Sequence, residues 1–457
     1  MMKRRKEAAG TMAAVANLPR TLSLYEEIHP PLSESQAFVE SDRCLECGGP
    51  SAPAPCFAAC PAQVPVPHFI RAIREGRPDE AARLIFEANI LGGSCARVCP
   101  VEELCEGACV LVKEGRRAVQ IGRLQRFATD VALQKQLHFF TRTQAKLQSV
   151  GVIGAGPAGL ACAAELAKRG YDVVVYESRP DPGGLITSAI APYKQWREPL
   201  PQEVQMIERL GVKFRYGITV GRDLSIDELK RRHAALFLGV GLGKDLPARL
   251  EGENLAGIWN SLEFIEAIKN GDLPKIGSTV AVIGGGNTAI DVAREAVRLG
   301  ATNVMVLYRR TEDQMPAFKH EVKAARKEGV HFYWLTAPLR FIGEGRVRAI
   351  ECIHMKLGAP DKSGRPAPEP IPGTEFLLEV DTVIKAIGQE RRSALLEQFG
   401  IELSGGLVKV NEDFQTSCAS IFAGGDCING GGTVVEAVAH GKRAAEGIDR
   451  YLSRVAA

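Results

Sequence analysis

The chain has 457 residues, 45% of them hydrophobic and 24% charged, the balance of a globular protein with room for roughly three cored domains. A formal net charge of +3 is nearly neutral at this length, which argues against nucleic acid or a membrane surface as partner. The start MMKRRKEAAGTMAAVANLPR is basic but has no apolar core for a secretion signal, and no apolar run reaches the roughly 18 residues of a spanning helix, so the expected compartment is the cytoplasm.

Residues 1 to about 43 read as a mobile basic start followed by a helix, SESQAFVESDR, that delivers the first cysteine pair. Eight of the twelve cysteines lie between Cys44 and Cys109; the others are Cys162, Cys352, Cys418 and Cys427. In a chain without a secretion signal, clustered cysteines point to metal ligands rather than disulfides. They form two blocks, Cys44-x2-Cys47-x8-Cys56-x3-Cys60-Pro61 and Cys95-x3-Cys99-Pro100-x4-Cys105-x3-Cys109. Between the blocks HFIRAIREGRPDEAARLIFEANI has apolar positions at helical spacing, so the cysteines sit on loops and turns between short helices. Thiolate sulfur suits zinc or iron–sulfur clusters, and Cys-Pro at the end of a short-spaced run is a feature of cluster loops. Structural zinc also uses C-x2-C pairs and stands as the alternative.

A polar helix around Arg126 to Thr143 leads to a first boundary near residue 145. VGVIGAGPAGL, from Val150 to Leu160, then reads as a buried parallel strand, a glycine turn and the start of a helix. Gly154 permits the turn, Gly156 lets the backbone approach a pyrophosphate at the helix N-terminus, and Gly159 lets the helix pack on the strand. Glu177 ends the next strand, VVVYE, 18 residues past Gly159, placed to accept from ribose hydroxyls. A lone GxGxxG is weak evidence, but strand, glycines, helix AGLACAAELAKRG and acidic strand end follow in order, which is a dinucleotide fingerprint. In PGGLI, Gly183 and Gly184 offer backbone to a ligand, with Leu185 beside them; a plain surface turn is the alternative. A helix, PQEVQMIERLG, and a buried strand within HAALFLGVGLG come next.

TVAVIGGGNTAIDVAREAVRLGA repeats the pattern as GxGxxA, with Gly284, Gly286 and Ala289, and Asn287 and Thr288 on the first helical turn as further cofactor contacts. Two fingerprints imply two dinucleotides. The strand NVMVLYRR ends not in an acid but in Arg309 and Arg310, which suits a ribose 2′-phosphate and so favours NADP over NAD; a solvated strand edge is the alternative. DKSGRPAPEPIPG, residues 361–373, reads as a Pro/Gly hairpin or loop, and VDTVIKAIGQ as the strand that leaves this unit near residue 388. SIFAGGDCINGGGTVVEAVAHGKRAAEGIDRYL supplies a strand, Asp426, a glycine loop and a closing helix. Asp426 can hold a polyol or simply cap a helix, and Thr433 and Val434 head the closing helix as cofactor contacts. Cys352 and Cys427 read as buried small hydrophobes.

The order of cysteine-rich helical domain, GAGPAGL, GGGNTAID, YRRTEDQMPA and FAGGDC resembles the family of the bacterial glutamate synthase small subunit and of the N-terminal half of dihydropyrimidine dehydrogenase, over nearly everything after residue 30. The resemblance implies an α/β chain of two Rossmann-like, thioredoxin-reductase-like domains behind an all-α iron–sulfur domain. Residues 1–145 would bind two 4Fe–4S clusters, 146–248 with 388–457 FAD, and 249–387 NADP(H), NAD(H) being possible. Hydride would pass from nicotinamide to flavin and single electrons onward through the clusters to a partner.

In VQIGRLQRFATD, glutamate synthase has Glu before the second Arg, whereas dihydropyrimidine dehydrogenase places Gln there as an unusual cluster ligand; here the residue is Gln125. By that resemblance the chain is identified with the flavin/iron–sulfur subunit of the bacterial dihydropyrimidine dehydrogenases. Cys44, Cys47, Cys56 and Cys109 would hold one cluster and Cys60, Cys99, Cys105 and Gln125 the other, with Cys95 a non-ligand. Eight residues separate Cys47 from Cys56, more than the family has, and the GGPSAPAP insert is of a type that bulges outward. The implied assembly is a hetero-oligomer with an FMN-barrel subunit carrying its own iron–sulfur clusters and reducing uracil or thymine. The alternatives are a large amidotransferase partner, a related NADPH:ferredoxin-type reductase, and a zinc-bound scaffold without activity.

Overall fold

The computed structural model describes residues 26–49, 52–361 and 364–455. The basic start, two residues of the insert at 50–51 and the pair 362–363 of the expected loop lie outside them.

The cysteine-bearing region is helical. α1 (Glu34–Asp42) opens with a capping box, in which Ser33 Oγ accepts from Gln36 N and the Gln36 side chain accepts from Ser33 N. After α2 (Pro55–Ala58), the long apolar pattern expected as helix is two helices, α3 (Val66–Arg74) and α4 (Pro78–Ala88). Gly76 at φ +71° and Pro78 on the first turn of α4 make the break. α5 (Gly92–Val98), α6 (Val110–Lys113) and α7 (Ile121–Gln134) complete the layer, and Phe69, Ile85, Phe86, Leu124 and Ala128 form its core.

Next come β1 (Ser149–Ile153), α8 (Pro157–Lys168), β2 (Asp172–Glu177), α9 (Leu185–Ser188), α10 (Leu200–Arg209), β3 (Lys213–Tyr216), α11 (Ile226–Arg232) and β4 (Ala235–Leu238). The second nucleotide region runs through β5 (Ile258–Asn260), α12 (Ser261–Asn270), β6 (Thr279–Ile283), α13 (Asn287–Arg298), β7 (Asn303–Tyr308), α14 (Lys319–Lys327), β8 (His331–Trp334), β9 (Thr336–Ile342), β10 (Ala349–Pro360), β11 (Pro366–Glu379) and β12 (Thr382–Lys385). The chain closes with α15 (Ser393–Glu397), the short ladder of β13 (Leu403–Ser404) and β14 (Leu407–Val408), then β15 (Ile421–Ala423), α16 (Asp426–Asn429) and α17 (Val434–Val455).

Two parallel five-stranded sheets result, ordered β15-β4-β1-β2-β3 and β5-β12-β6-β7-β8. Their central strands are apolar runs with both faces covered: Val150, Val152 and Ile153 in β1, Val280, Val282 and Ile283 in β6. Of the hairpin and loop readings of residues 361–373 the structure takes the hairpin: β11 begins at Pro366 and pairs antiparallel with β10, in a three-stranded sheet ordered β11-β10-β9. β11 is an edge strand, so Pro366, Pro368 and Pro370 forfeit no ladder bond to a strand beyond, and the pairing absorbs them with register shifts near Ile353 and Leu357.

By compactness the chain forms two units. One contains Ile28–Ile190, Arg197–Gly243 and the stretch from Arg391 onward, holding the cysteine-bearing helices and the first sheet together; the other contains Ala191–Trp196 and Lys244–Glu390. No helix among the described residues is long and apolar enough to cross a membrane.

Candidate functional site

β1 ends at Gly154, whose φ of +98° and N–H to the Tyr176 carbonyl (2.8 Å) turn the chain sharply into α8. A Cβ on Gly159 would stand 1.9 Å from the Gly154 carbonyl oxygen, so α8 packs on the turn as closely as backbone permits. A Cβ on Gly156 would meet nothing nearer than the Gly239 carbonyl oxygen at 4.0 Å. That open space at the head of a helix, with its first N–H groups facing out, is what a pyrophosphate requires. Glu177 is buried at the end of β2, and its carboxylate already accepts from Ala155 N (2.7 Å), Arg179 N (2.8 Å) and Ser178 Oγ (3.1 Å). Besides any ribose contact, it therefore holds the glycine turn to β2.

The PGG turn is not a free surface loop. Gly183 N–H donates to Ala155 O (2.7 Å), and a Cβ on Gly184, at φ +55°, would lie 3.1 Å from Gly156 Cα, which brings Gly184 and the half-exposed Leu185 to the fingerprint. Asp426 opens α16 and accepts from Gly432 N (3.2 Å), and burial pushes its carboxyl up. Thr433 exchanges bonds with Glu436 at the head of α17: its N–H and hydroxyl donate to the carboxylate at 2.6 and 2.9 Å, and Glu436 N–H returns to Thr433 Oγ1. Val434 is the first residue of that helix. Sequence reading missed His440, whose Nδ1 accepts from Gly425 N (3.2 Å) and whose pKa burial pushes down; a single helical histidine carries no periodic signal.

The structure brings Cys44, Cys47, Cys56 and Cys109 onto the wall of one small pocket, otherwise lined by apolar groups such as Leu45, Val66, Ile70 and Ile121. No group of three or more His, Cys, Asp or Glu side chains among the described residues converges on a single-ion position. Burial pushes the Cys44 thiol up and the Cys56 thiol to about 12. The second cysteine set is also gathered. Cys99, raised first by a hydrogen bond with Cys95 and then by burial, lies in the fields of Cys60 and Cys105. Cys95, left out of both ligand sets, is thus among them. Gln125 is buried on α7, and its Nε2 donates to Gly92 O at 2.7 Å.

In the other unit β6 runs into Gly284, at φ +142°, whose N–H donates to Leu307 O (3.1 Å), and Gly286 caps α13 with nothing within 4 Å of an added Cβ. Here too the backbone leaves open space at a helix head. Asn287 Oδ1 accepts from Phe318 N (2.8 Å), tying α13 to the loop before α14, and Thr288 is half-buried on the first turn. The two arginines part ways. Arg309 is exposed, but Arg310 is buried, its Nε bonded to Pro366 O (2.9 Å) and its Nη2 to Asp361 Oδ2 (2.7 Å). Of the two arginines expected at a 2′-phosphate, Arg310 here pins the β10–β11 hairpin, and Arg309 alone of the pair faces solvent.

A fingerprint turn feeding each of two parallel sheets, in a chain with a gathered set of thiols, defines an FAD- and NADP(H)-dependent oxidoreductase with an iron–sulfur domain. Two family models agree, pyridine nucleotide-disulphide oxidoreductase over residues 148–441 and dihydropyrimidine dehydrogenase domain II, 4Fe–4S cluster, over residues 21–137. The chain is 38% identical to the glutamate synthase (NADPH) small chain of Escherichia coli K12 over 94% of each chain. It is also 38% identical to the beta subunit of the NADP(+)-dependent formate dehydrogenase of Moorella thermoacetica, over 88% of this chain and 60% of that one. The chain therefore belongs to the glutamate synthase small subunit family of pyridine nucleotide-disulphide oxidoreductases. Among solved structures, Mycobacterium tuberculosis FprA in complex with NADPH matches at TM-score 0.57 and 19% identity over 68% of this chain and 86% of that one. Lactococcus lactis thioredoxin reductase matches at 0.53 and 20% over 67% and 99%; these two likenesses speak to the fold.

Proposed function

We propose that the chain is the electron-input subunit of a two-subunit enzyme, oxidising NADPH and delivering electrons through two 4Fe–4S clusters to a partner's active site. When bound, nicotinamide and flavin supply hydride transfer and the clusters supply one-electron transfer. The chain's own residues bind and orient. The Gly154–Gly159 and Gly284–Ala289 turns present helix N-termini to the two pyrophosphates, and Arg309 faces the coenzyme's 2′-phosphate. Cys44, Cys47, Cys56 and Cys109 hold one cluster, and Cys60, Cys99, Cys105 and Gln125 the other. The observation that carries this reading is the convergence of four cysteines, spread over 66 positions of sequence, on one cavity wall.

For the partner, the family relationship favours a large amidotransferase subunit, and so reorders the sequence expectation, which put an FMN-barrel pyrimidine reductase first. One observation supports the second reading. With Gln125 Nε2 committed to Gly92 O, the side-chain oxygen is the atom left to meet a cluster, the role the resemblance gives this glutamine. Reconstitution decides between them: anaerobically purified protein, with about eight iron atoms per chain, is paired with each partner type from the same source. Glutamate formation supports the first reading, and NADPH-linked uracil reduction the second. Stoichiometric zinc without iron in freshly prepared protein would sink both.

A further inference from the structure

α5 is short, carries both Cys95 and, as its C-terminal cap, Cys99, and is buried from Gly92 through Arg97. Its N-cap is Leu91, which offers no side-chain acceptor, so buried N–H groups at its start need partners from elsewhere. Glu203 supplies them from α10, 110 positions along the chain. One carboxylate oxygen accepts from Gly93 N (2.7 Å) and Ser94 N (3.0 Å), the other from Ser94 Oγ (2.5 Å). The approach depends on Gly93, because a Cβ there would lie 3.2 Å from Glu203 Oε1 and 2.8 Å from Pro199 Cγ. The carbonyl side of the same turn is held by Gln125 Nε2 on Gly92 O and by Arg97 Nη1 on Gly93 O (3.0 Å), with Arg97 anchored on Asp130 of α7 (2.7 Å). α10 in turn packs on α8, the helix whose head is the first fingerprint.

We infer that Glu203 is a positioning residue for the second cluster: through it the first nucleotide-binding domain fixes the turn that aims Cys99 and the Gln125 amide. This rests on the proposed electron-transfer reading. Three hydrogen bonds accepted by one fully buried carboxylate set the start of a seven-residue helix, and Cys99 at its far end, with its N–H on Cys95 O at 3.0 Å, has little slack to move independently. Glu203 would not touch the cluster. Its effect passes through Gly93 and Ser94 to the backbone that carries the ligands.

The test follows loss of iron from the full chain to a ferrous chelator under anaerobic conditions. Glu203→Met fills the same space without acceptors, and half of the iron should leave about tenfold faster than from wild type, as for other supports of metal ligands. The other half should be unchanged, and the low-temperature EPR signal of one reduced cluster should broaden. Glu203→Gln keeps one acceptor for the two backbone N–H groups and should restore the wild-type rate to within about twofold. Ser94→Ala removes only the hydroxyl contact and should accelerate the same half by about threefold, which keeps the proposal testable should Glu203→Met fail to fold. Wild-type rates in Ser94→Ala and Glu203→Met, or equal acceleration of all the iron, would overturn the positioning role and leave the electron-transfer reading standing. A wild-type protein without iron would overturn both.

Discussion

At the end of β1 a methyl group on Gly159 would stand 1.9 Å from the Gly154 carbonyl oxygen, whereas at the end of β6 the matching position is Ala289, fully buried and accommodated. The middle glycines, Gly156 and Gly286, have open space in common. The contrast separates two requirements that one motif conceals. Room at the second glycine is demanded by what approaches the helix head, and that demand is the same in both turns. The third glycine answers only to how tightly the helix seats on its own strand. The strand that follows differs as well. β2 closes on its turn through the Glu177 carboxylate, while β7 closes through the Tyr308 ring, which fills the place a Cβ on Gly285 would take, 2.3 Å away.

Gly159→Ala should have the largest effect, costing about 3 kcal/mol or more through overpacking against backbone that cannot yield. FAD should be lost from the purified protein. Ala289→Gly in the other turn should cost about 1 kcal/mol, the helix-propensity difference, and leave coenzyme binding in place. Urea unfolding with flavin absorbance reads both, and equal effects in the two turns would refute the distinction. Arg310→Met comes next. It leaves Asp361, itself one-third exposed, without its buried cation, and should destabilise the second unit by about 2.5 kcal/mol, below the cost of a fully buried pair because water reaches the acid.

A third difference is electrostatic. The first unit's most buried acid, Glu203, has three donors and still sits at about 7, burial being the larger influence. In the second unit Glu295 on α13 is fully buried, and burial pushes it to about 8 against the pull of Arg298, the Tyr193 N–H and Arg294, with Asp291 adding to the rise. For both, the folded value lies above the ordinary one of 4.5. Their contribution to stability is therefore whole below about pH 4.5 and declines as pH rises, until about 7 for Glu203 and about 8 for Glu295. Between pH 6 and 8 Glu295 alone should remove about 2 kcal/mol. Glu295→Gln should raise the melting temperature over wild type more at pH 8 than at pH 6. A pH-independent difference would mean the carboxyl is ionised throughout.

The parallel strands, both glycine turns and the thiol-rich helices were legible because each writes a local signal: an apolar run, a glycine with positive φ, a short cysteine spacing. What escaped is long-range. Nothing around Glu203 announces Gly93 and Ser94, and nothing in APYKQW announces that Tyr193 bonds Asp291 (2.5 Å) and Lys194 pairs with Asp291 and Glu321 (2.8 and 2.7 Å). For residues 361–373 the prolines leave hairpin and loop both open, and it is the place of β11 at a sheet edge that makes them compatible with the hairpin strand. Arg310 was read correctly as a strand-end arginine, but Asp361 lies 51 positions on and decides what it does.

The same pair of arginines gives the finest test of the comparison. Glu177 at the end of β2 would repel a 2′-phosphate, and the second fingerprint puts a cation near the corresponding place. If Arg309 supplies the phosphate contact, Arg309→Gln should lower kcat/KM for NADPH in flavin reduction about tenfold, roughly 1.4 kcal/mol, and leave NADH unchanged within about twofold. Because Arg309 is exposed, its loss should not shift the melting temperature, in contrast with Arg310→Met, whose stability loss should come with unaltered coenzyme preference. Reversed outcomes, with preference following Arg310 and stability following Arg309, would mean that the hairpin ion pair opens when coenzyme binds and that the phosphate, not Asp361, is the functional partner of Arg310.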